Sequence, residues 1–381
     1  MKEKRIIVLG ATGSIGTNCF DAVRNLGIGY RVVGASCHAK RDELLRLAEE
    51  FSIHDLAVSG TGTEHPGIRW SGADAVRRLL HETEADIVVN GISGSPGLMP
   101  SVWSLRTGKD LALANKETIV MAGPLIQDLA ARTGRSILPV DSEHSALFHL
   151  LQNRRKDELR RIIITASGGA FRDTPLDDFP RINLEQALQH PTWNMGGKIT
   201  IDSATMANKG LEIIEAHFLF HLPASRITVL IHPQSCIHSL VQTIEGSCYA
   251  QISSPDMRIP IQNALTFPSL HESPFGELDF SATTMTFQEP DPERYPLLPL
   301  AYQAAEDDGS YPLVYNAANE AAVEAFRTGK IRFIDIAPVV EKSLQPDWSR
   351  PPDSFDDAMQ THHLAWQEAR RHIKTLLEHN R

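Results

Sequence analysis

The feature that most constrains this chain is a glycine loop, Gly10-Ala-Thr-Gly-Ser-Ile-Gly16, between the apolar run Ile6–Leu9 and a helix-period segment. A strand that turns directly into a helix through such a loop needs backbone conformations and close approaches that glycine alone permits. It also aims the N–H groups and the positive dipole end of the helix at whatever lies beyond. An ordinary Gly-rich turn would look similar. The position of the loop in the first strand-helix-strand unit favours a site for the pyrophosphate of a dinucleotide.

The second strand decides which dinucleotide. NAD sites usually end this strand with a carboxylate for the ribose hydroxyls. Here it runs Gly34-Ala-Ser-Cys-His-Ala-Lys-Arg41, with no acid before Asp42. His38, Lys40 and Arg41 could meet a 2′-phosphate. The loop therefore reads as an NADP site rather than an NAD site, although these side chains would also suit a solvated loop.

The alternation continues through the first part of the chain. Strands are expected at Ile6–Leu9, Tyr30–Ser36, Leu56–Ser59, Ile87–Asn90, Asp110–Ala114 and Ser136–Val140. Helices are expected at Asn18–Leu26, Asp42–Phe51, Ala73–His81 and Leu98–Thr107. Apolar strands alternating with helices mean a parallel sheet covered on both faces. At 381 residues and 42% hydrophobic, the chain is too long for one core. After Asp141 the texture becomes mixed α+β, with strands at Ile162–Thr165, Thr228–Ile231 and Cys248–Ser253 and a helix at Asn208–His221. Prolines crowd the segment from Phe267 to Pro299, and helical patterns follow at Leu300–Asp307, Asn316–Thr328, Ile334–Ser343 and Phe355–Leu377. The expected class is α/β: a Rossmann-like sheet over 1–141, a central α+β domain over 142–266, a proline-rich linker over 267–299, and a helical bundle over 300–381.

Composition narrows the partners. The formal charge is -10 and no Lys/Arg run forms a basic stripe, so a nucleic-acid surface is not expected. Four cysteines without a CxxC pair, no signal-like start and no membrane-length apolar run point to a reduced, cytoplasmic, soluble protein.

Further segments carry chemistry. Ser136-Ile-Leu-Pro-Val leads into Asp141-Ser-Glu143-His144. Read as extended, residues i and i+2 point the same way, and hard oxygen donors at a strand end suit Mg²⁺ or Mn²⁺. An acidic strand-to-helix turn is also a common N-cap. Glu212 and Glu215 share a helix face and either could complete the set. Phosphate-binding groups cluster in Ala166-Ser-Gly-Gly-Ala170, in Asp202-Ser-Ala-Thr-Met-Ala-Asn-Lys209, and around His190-Pro-Thr-Trp-Asn-Met-Gly-Gly197, whose composition suits a mobile lid.

Taken in order, several strings resemble one family, the 1-deoxy-D-xylulose-5-phosphate reductoisomerases of the non-mevalonate isoprenoid pathway. They include the Gly10–Gly16 loop, Leu113-Ala-Asn-Lys-Glu117, Leu138-Pro-Val-Asp-Ser-Glu-His144 and Ser167-Gly-Gly-Ala-Phe-Arg172. His190-Pro-Thr-Trp-Asn-Met195, Asn208-Lys-Gly-Leu-Glu212, Ile231-His-Pro-Gln-Ser-Cys-Ile-His238 and Asn316-Ala-Ala-Asn-Glu320 carry the match to the C-terminal part. The resemblance implies Asp141, Glu143 and Glu212 as ligands of Mn²⁺, Mg²⁺ or Co²⁺. It implies Ser167, Ser203, Asn208 and Lys209 as the phosphate cradle with His190 beside it, and Trp193 as the residue of a lid at about 188–198. Ser142, Lys116, Glu143 and His238 should meet substrate, with Lys116, His190 and the three carboxylates as the catalytic set. NADPH contacts would fall on Gly10, Thr12, Gly13, Ser14, Ile15, Gly16, Ala39, Lys40, Asn115, Lys116, Glu117 and Met257, with Ser235 near the nicotinamide. The implied reaction is rearrangement of the pentulose phosphate and NADPH reduction to 2-C-methyl-D-erythritol 4-phosphate, in a homodimer. Ala11 and Gly197 depart from the family pattern, where a Ser and a basic residue are common. Rival readings are an NADP enzyme for another phosphorylated aldehyde, with Cys236 as nucleophile, and a non-catalytic NADP-binding protein.

Overall fold

The computed structural model describes residues 3–60, 65–193 and 195–379. The chain groups into two compact units rather than the four segments read from composition. One comprises Met1–Thr118, Ile126–Phe148 and Asp256–Leu278; the other comprises Ile119–Leu125, His149–Pro255 and Asp279–Arg381.

In the first unit, strands β1 (Lys4–Leu9), β2 (Tyr30–Cys37), β3 (Asp55–Val58), β4 (Trp70–Ser71), β5 (Ile87–Asn90), β6 (Asp110–Leu113) and β7 (Ile137–Pro139) form a sheet in the order β4-β3-β2-β1-β5-β6-β7. All pairs are parallel. Its helices are α1 (Ser14–Leu26), α2 (Arg41–Phe51), α3 (Ala75–Glu82) and α4 (Leu98–Arg106), then both ends of α5 (Lys116–Thr133), whose Ile119–Leu125 belong to the other unit, and α6 (Ser142–Leu151). Ile6, Val8, Ile87 and Val89 feed one core and Ile7, Leu9 and Val88 another, which is why these strands read as unbroken apolar runs. The strand order reverses between β1 and β5, the crevice where such sheets bind ligands.

Three features were not expected. α5 lacks a helical period because Ile119, Val120, Met121 and Ala122 are all buried, and its backbone breaks at Ala122, two residues before Pro124. The acidic segment is not extended: Ser142 opens α6, so Asp141 precedes the helix and Glu143 lies in its first turn. Finally, α10 (Arg258–Thr266) returns to this unit, because Ile261, Ala264 and Leu265 fill the core beneath α1.

The second unit has a four-stranded sheet, β8 (Leu159–Ala166), β9 (Ile227–Ile231), β10 (Ile237–Thr243) and β11 (Cys248–Ile252), in the order β11-β10-β8-β9. β8 and β9 are parallel, the other pairs antiparallel. Around it run α7 (Leu184–Ala187), α8 (Gly197–Ala204), α9 (Ala207–Phe220), α11 (Leu297–Asp307), α12 (Tyr311–Arg327), α13 (Ile336–Ser343) and α14 (Phe355–His379). The C-terminal helices do not enclose a separate core. Leu297, Tyr315, Ala322, Val340 and Ile373 share one cluster with Phe171, Ile201, Leu211 and Ile214. Among the described residues, no helix is long and apolar enough to cross a membrane.

Candidate active site

The dinucleotide loop forms as its glycines require. Gly10 is left-handed at φ 74°, and a Cβ there would stand 2.7 Å from the Gly91 carbonyl oxygen. A Cβ on Gly16 would stand 2.4 Å from that of Ala11. Gly13 caps α1 with no side-chain acceptor, which leaves Thr12, Ser14 and Ile15 at a bare helix N-terminus. At the end of β2, His38 Nδ1 lies 3.0 Å from Ser59 Oγ, whereas Lys40 and Arg41 pair with Glu43 and Asp42. Ala39 is exposed beside them.

Sequence reasoning missed the loop after β5. Asn90 is fully buried; its Oδ1 accepts from Ile92 N–H at 3.1 Å, and its Nδ2 donates to the Gly97 carbonyl at 2.9 Å. Asn115 caps α5 through Oδ1 and donates from Nδ2 to the carbonyls of Ile92 and Gly94 at 2.8 and 2.9 Å, and to Glu117 at 2.8 Å. The loop from Gly91 to Gly94 is thus pinned from two sides beside the glycine loop of β1. The signal was present in Gly91-Ile-Ser-Gly94 directly after a strand at the reversal of strand order. Met257, partly buried, precedes α10, and Arg258 pairs with Asp256 at 2.5 Å.

The carboxylates of the first unit sit where β7 turns into α6. Lys116, the first residue of α5, is only 5% exposed and is ion-paired with Asp141. Ser142 donates from Oγ to Glu143 Oε2 at 2.6 Å.

In the second unit, Glu212 is fully buried in α9, where Asn208 donates to its Oε1 at 2.6 Å and Lys209 is ion-paired with Oε2. Glu215, one turn on, is equally buried. A buried carboxylate is costly unless it is paired, and the Lys209–Glu212 ion pair meets that condition.

The phosphate-binding candidates of this unit converge. Ser167 Oγ lies 3.0 Å and Ser203 Oγ 3.1 Å from His190 Nε2. Nδ1 of the same ring accepts from the backbone N–H of Thr192 at 3.1 Å and of Trp193 at 2.8 Å. Because Nδ1 accepts twice it bears no proton, so Nε2–H faces the two hydroxyls. Burial pushes the ring pKa down to about 4, which keeps it neutral. Gly168 and Gly169 are left-handed at φ 87° and 67°, and a Cβ on Gly169 would stand 2.5 Å from the Ser203 carbonyl oxygen. Tyr295 closes the loop from below by donating to the Gly168 carbonyl at 2.8 Å. Trp193 is partly buried; Asn194 of the expected lid lies outside the described residues. His238 Nε2 is 3.1 Å from Ser253 Oγ, and Ser235 is left-handed at φ 51°. Cys236 is buried with Sγ 3.3 Å from His232 Nε2, whose ring stacks on Phe287.

Comparison with known proteins decides the family. A family model described as 1-deoxy-D-xylulose 5-phosphate reductoisomerase matches residues 6–123, and two models for its C-terminal domains match 137–220 and 252–370. A relative of that name from Treponema denticola is 47% identical over 94% of each chain. The chain belongs to the 1-deoxy-D-xylulose 5-phosphate reductoisomerase family. Another reductoisomerase, from Chlorobaculum tepidum, is 44% identical over 97% of this chain and 100% of its own. Among solved reductoisomerases, that of Zymomonas mobilis in complex with NADPH superposes with a TM-score of 0.90 at 40% identity, covering 98% of this chain and 99% of that one. A further one, in complex with NADPH, fosmidomycin and magnesium, superposes at 0.91 with 34% identity and the same coverage. Membership in the reductoisomerase family sets aside the Cys236-dependent aldehyde dehydrogenase and the non-catalytic NADP-binding protein.

Proposed function

We infer that this chain rearranges 1-deoxy-D-xylulose 5-phosphate and reduces the product with NADPH to 2-C-methyl-D-erythritol 4-phosphate. The observation that carries this reading is the cluster in α9, where fully buried Glu212 accepts from Asn208 and is ion-paired with Lys209. A plain NADP dehydrogenase has no use for such a carboxylate. It fits a hard divalent cation, which takes oxygen donors and would release Lys209 and Asn208 for a phosphate.

The cofactors are NADPH and a divalent metal ion. Asp141, Glu143 and Glu212 are proposed to hold the ion; the set is all carboxylate, which suits Mg²⁺, with Mn²⁺ and Co²⁺ as further choices. When bound, the metal supplies Lewis acidity at the ketone and adjacent hydroxyl oxygens, and NADPH supplies the hydride. The Gly10–Gly16 and Gly91–Gly94 loops are proposed to seat NADPH, with Ala39 and Lys40 toward the 2′-phosphate and Asn115, Glu117 and Met257 toward the nicotinamide end. Ser167, Ser203, Asn208 and Lys209 bind the substrate phosphate, and His190 contributes its Nε2–H. Lys116, ion-paired with Asp141, orients the substrate together with Ser142 and His238. Trp193 and the segment around it cover the bound sugar and exclude water, so that remote phosphate binding supports the chemical step.

We place the protein in the cytoplasm as a homodimer. All four cysteines are free, and β11 presents an open edge with Tyr249 and Ile252 exposed, a surface suited to a second copy. Glu143→Gln tests the metal assignment. Calorimetry with Mn²⁺ alone should show lost binding and NADPH oxidation should stop, while NADPH affinity is kept. Undiminished turnover in that variant would remove the assignment.

A further inference from the structure

The corner that carries Ser203, Asn208, Lys209 and Glu212 is shaped from elsewhere in its own unit. α8 ends at Ala204, Met206 turns the chain at φ 60°, and α9 begins at Ala207. A left-handed residue other than glycine is strained and persists only where its surroundings dictate it. α12 provides those surroundings. A Cβ on Gly210 would stand 2.3 Å from Tyr315 Oη, so this helix fixes how close α9 comes. One turn further along α12, fully buried Asn319 donates from Nδ2 to Asp202 Oδ1 at 2.8 Å. The other oxygen of Asp202 is 3.0 Å from Lys198 Nζ.

Asp202 has 1% of its surface exposed and directly precedes Ser203. A carboxylate so placed is costly to desolvate, and a bare one would repel a phosphate bound at the next residue. Lys198 neutralises its charge, and Asn319 fixes its orientation. We propose that Asp202 and Asn319 are positioning residues of the phosphate cradle. Their hydrogen bond sets the rotation of α8, which keeps Ser203 Oγ on His190 Nε2 and opposite Ser167. The inference rests on Ser203 and Lys209 binding the substrate phosphate.

The test is Asn319→Leu in the full chain, which removes the donor at similar volume. KM for 1-deoxy-D-xylulose 5-phosphate should rise about tenfold with kcat within about twofold, since a hydrogen bond to a charged group is of that order. Affinity for inorganic phosphate, read by calorimetry, should fall by the same factor, and NADPH affinity should stay unchanged. The double exchange D202N/N319D restores a donor–acceptor pair and should recover phosphate affinity to within about threefold of wild type. Should leucine prevent folding, Asn319→Asp removes the donor at unchanged volume. Unchanged phosphate affinity in a folded variant, or loss of kcat at constant KM, overturns the tie. Wild-type protein that neither binds phosphate nor turns over the sugar phosphate would overturn the site reading itself, and the tie with it.

Discussion

His190 does two things with one ring. Its Nδ1 anchors the backbone of Thr192 and Trp193, and its Nε2–H faces Ser167 and Ser203. Its pKa is lowered by burial from 6.5 to about 4. Between those values the unfolded chain binds a proton at this ring that the folded chain refuses. The sign follows: this residue's contribution to stability is full above the unfolded pKa and is lost as pH falls toward 4. His190→Asn keeps an acceptor for the two N–H groups but loses the second nitrogen. Urea midpoints at about pH 7 and about pH 4.5 should therefore differ less in the variant than in wild type. An identical pH dependence would show that the ring does not titrate this way. Inorganic phosphate should also bind the variant more weakly, on the order of tenfold.

Elements place these residues, and glycines decide how closely elements meet. Gly16→Ala puts a Cβ 2.4 Å from the Ala11 carbonyl oxygen, backbone that cannot yield without opening the loop. NADPH affinity should drop at least about tenfold by fluorescence titration while helix content is retained, a loss in the usual range for strained backbone. Gly210→Ala meets the tip of a buried, rigid Tyr315 instead. It should destabilise the protein by about 2 kcal/mol, the ordinary cost of overpacking, read as a lower urea midpoint. Much of the first sheet was legible in sequence because β1, β5 and β6 are buried on both faces and read as continuous apolar runs. α5 was not, since burial all round erases the 3.6-residue period and Pro124 mimics a loop. α10 was hidden for another reason: its partners lie far away in sequence, on α1. Of the candidate site, Ser167, His190 and Ser203 stood out in neighbouring segments and the structure brings their side chains together, but the turn of Glu143 into α6 was not legible. Nor was the role of Asn90 and Asn115, because a buried asparagine leaves no periodic mark.

At the scale of the molecule, each unit carries its own compensation for its own charges. Lys116 answers Asp141 in one, and Lys209 answers Glu212 in the other. These pairs predict that the chain folds without the metal. Removing it with a chelator should abolish turnover and leave NADPH affinity within about twofold, since a ligand stabilises only the state that holds it. Adding Mg²⁺ back should restore activity, and loss of NADPH binding on chelation would contradict this division of labour. The formal charge of -10 offers no general attraction for an anionic sugar, so the proposed local cradle has to supply its recognition. The central claim is tested most directly by following NADPH absorbance while the wild-type chain meets 1-deoxy-D-xylulose 5-phosphate and Mg²⁺. The account predicts metal-dependent oxidation with one 2-C-methyl-D-erythritol 4-phosphate formed per NADPH consumed. Oxidation that proceeds without metal, or that yields an unbranched polyol phosphate, would contradict it.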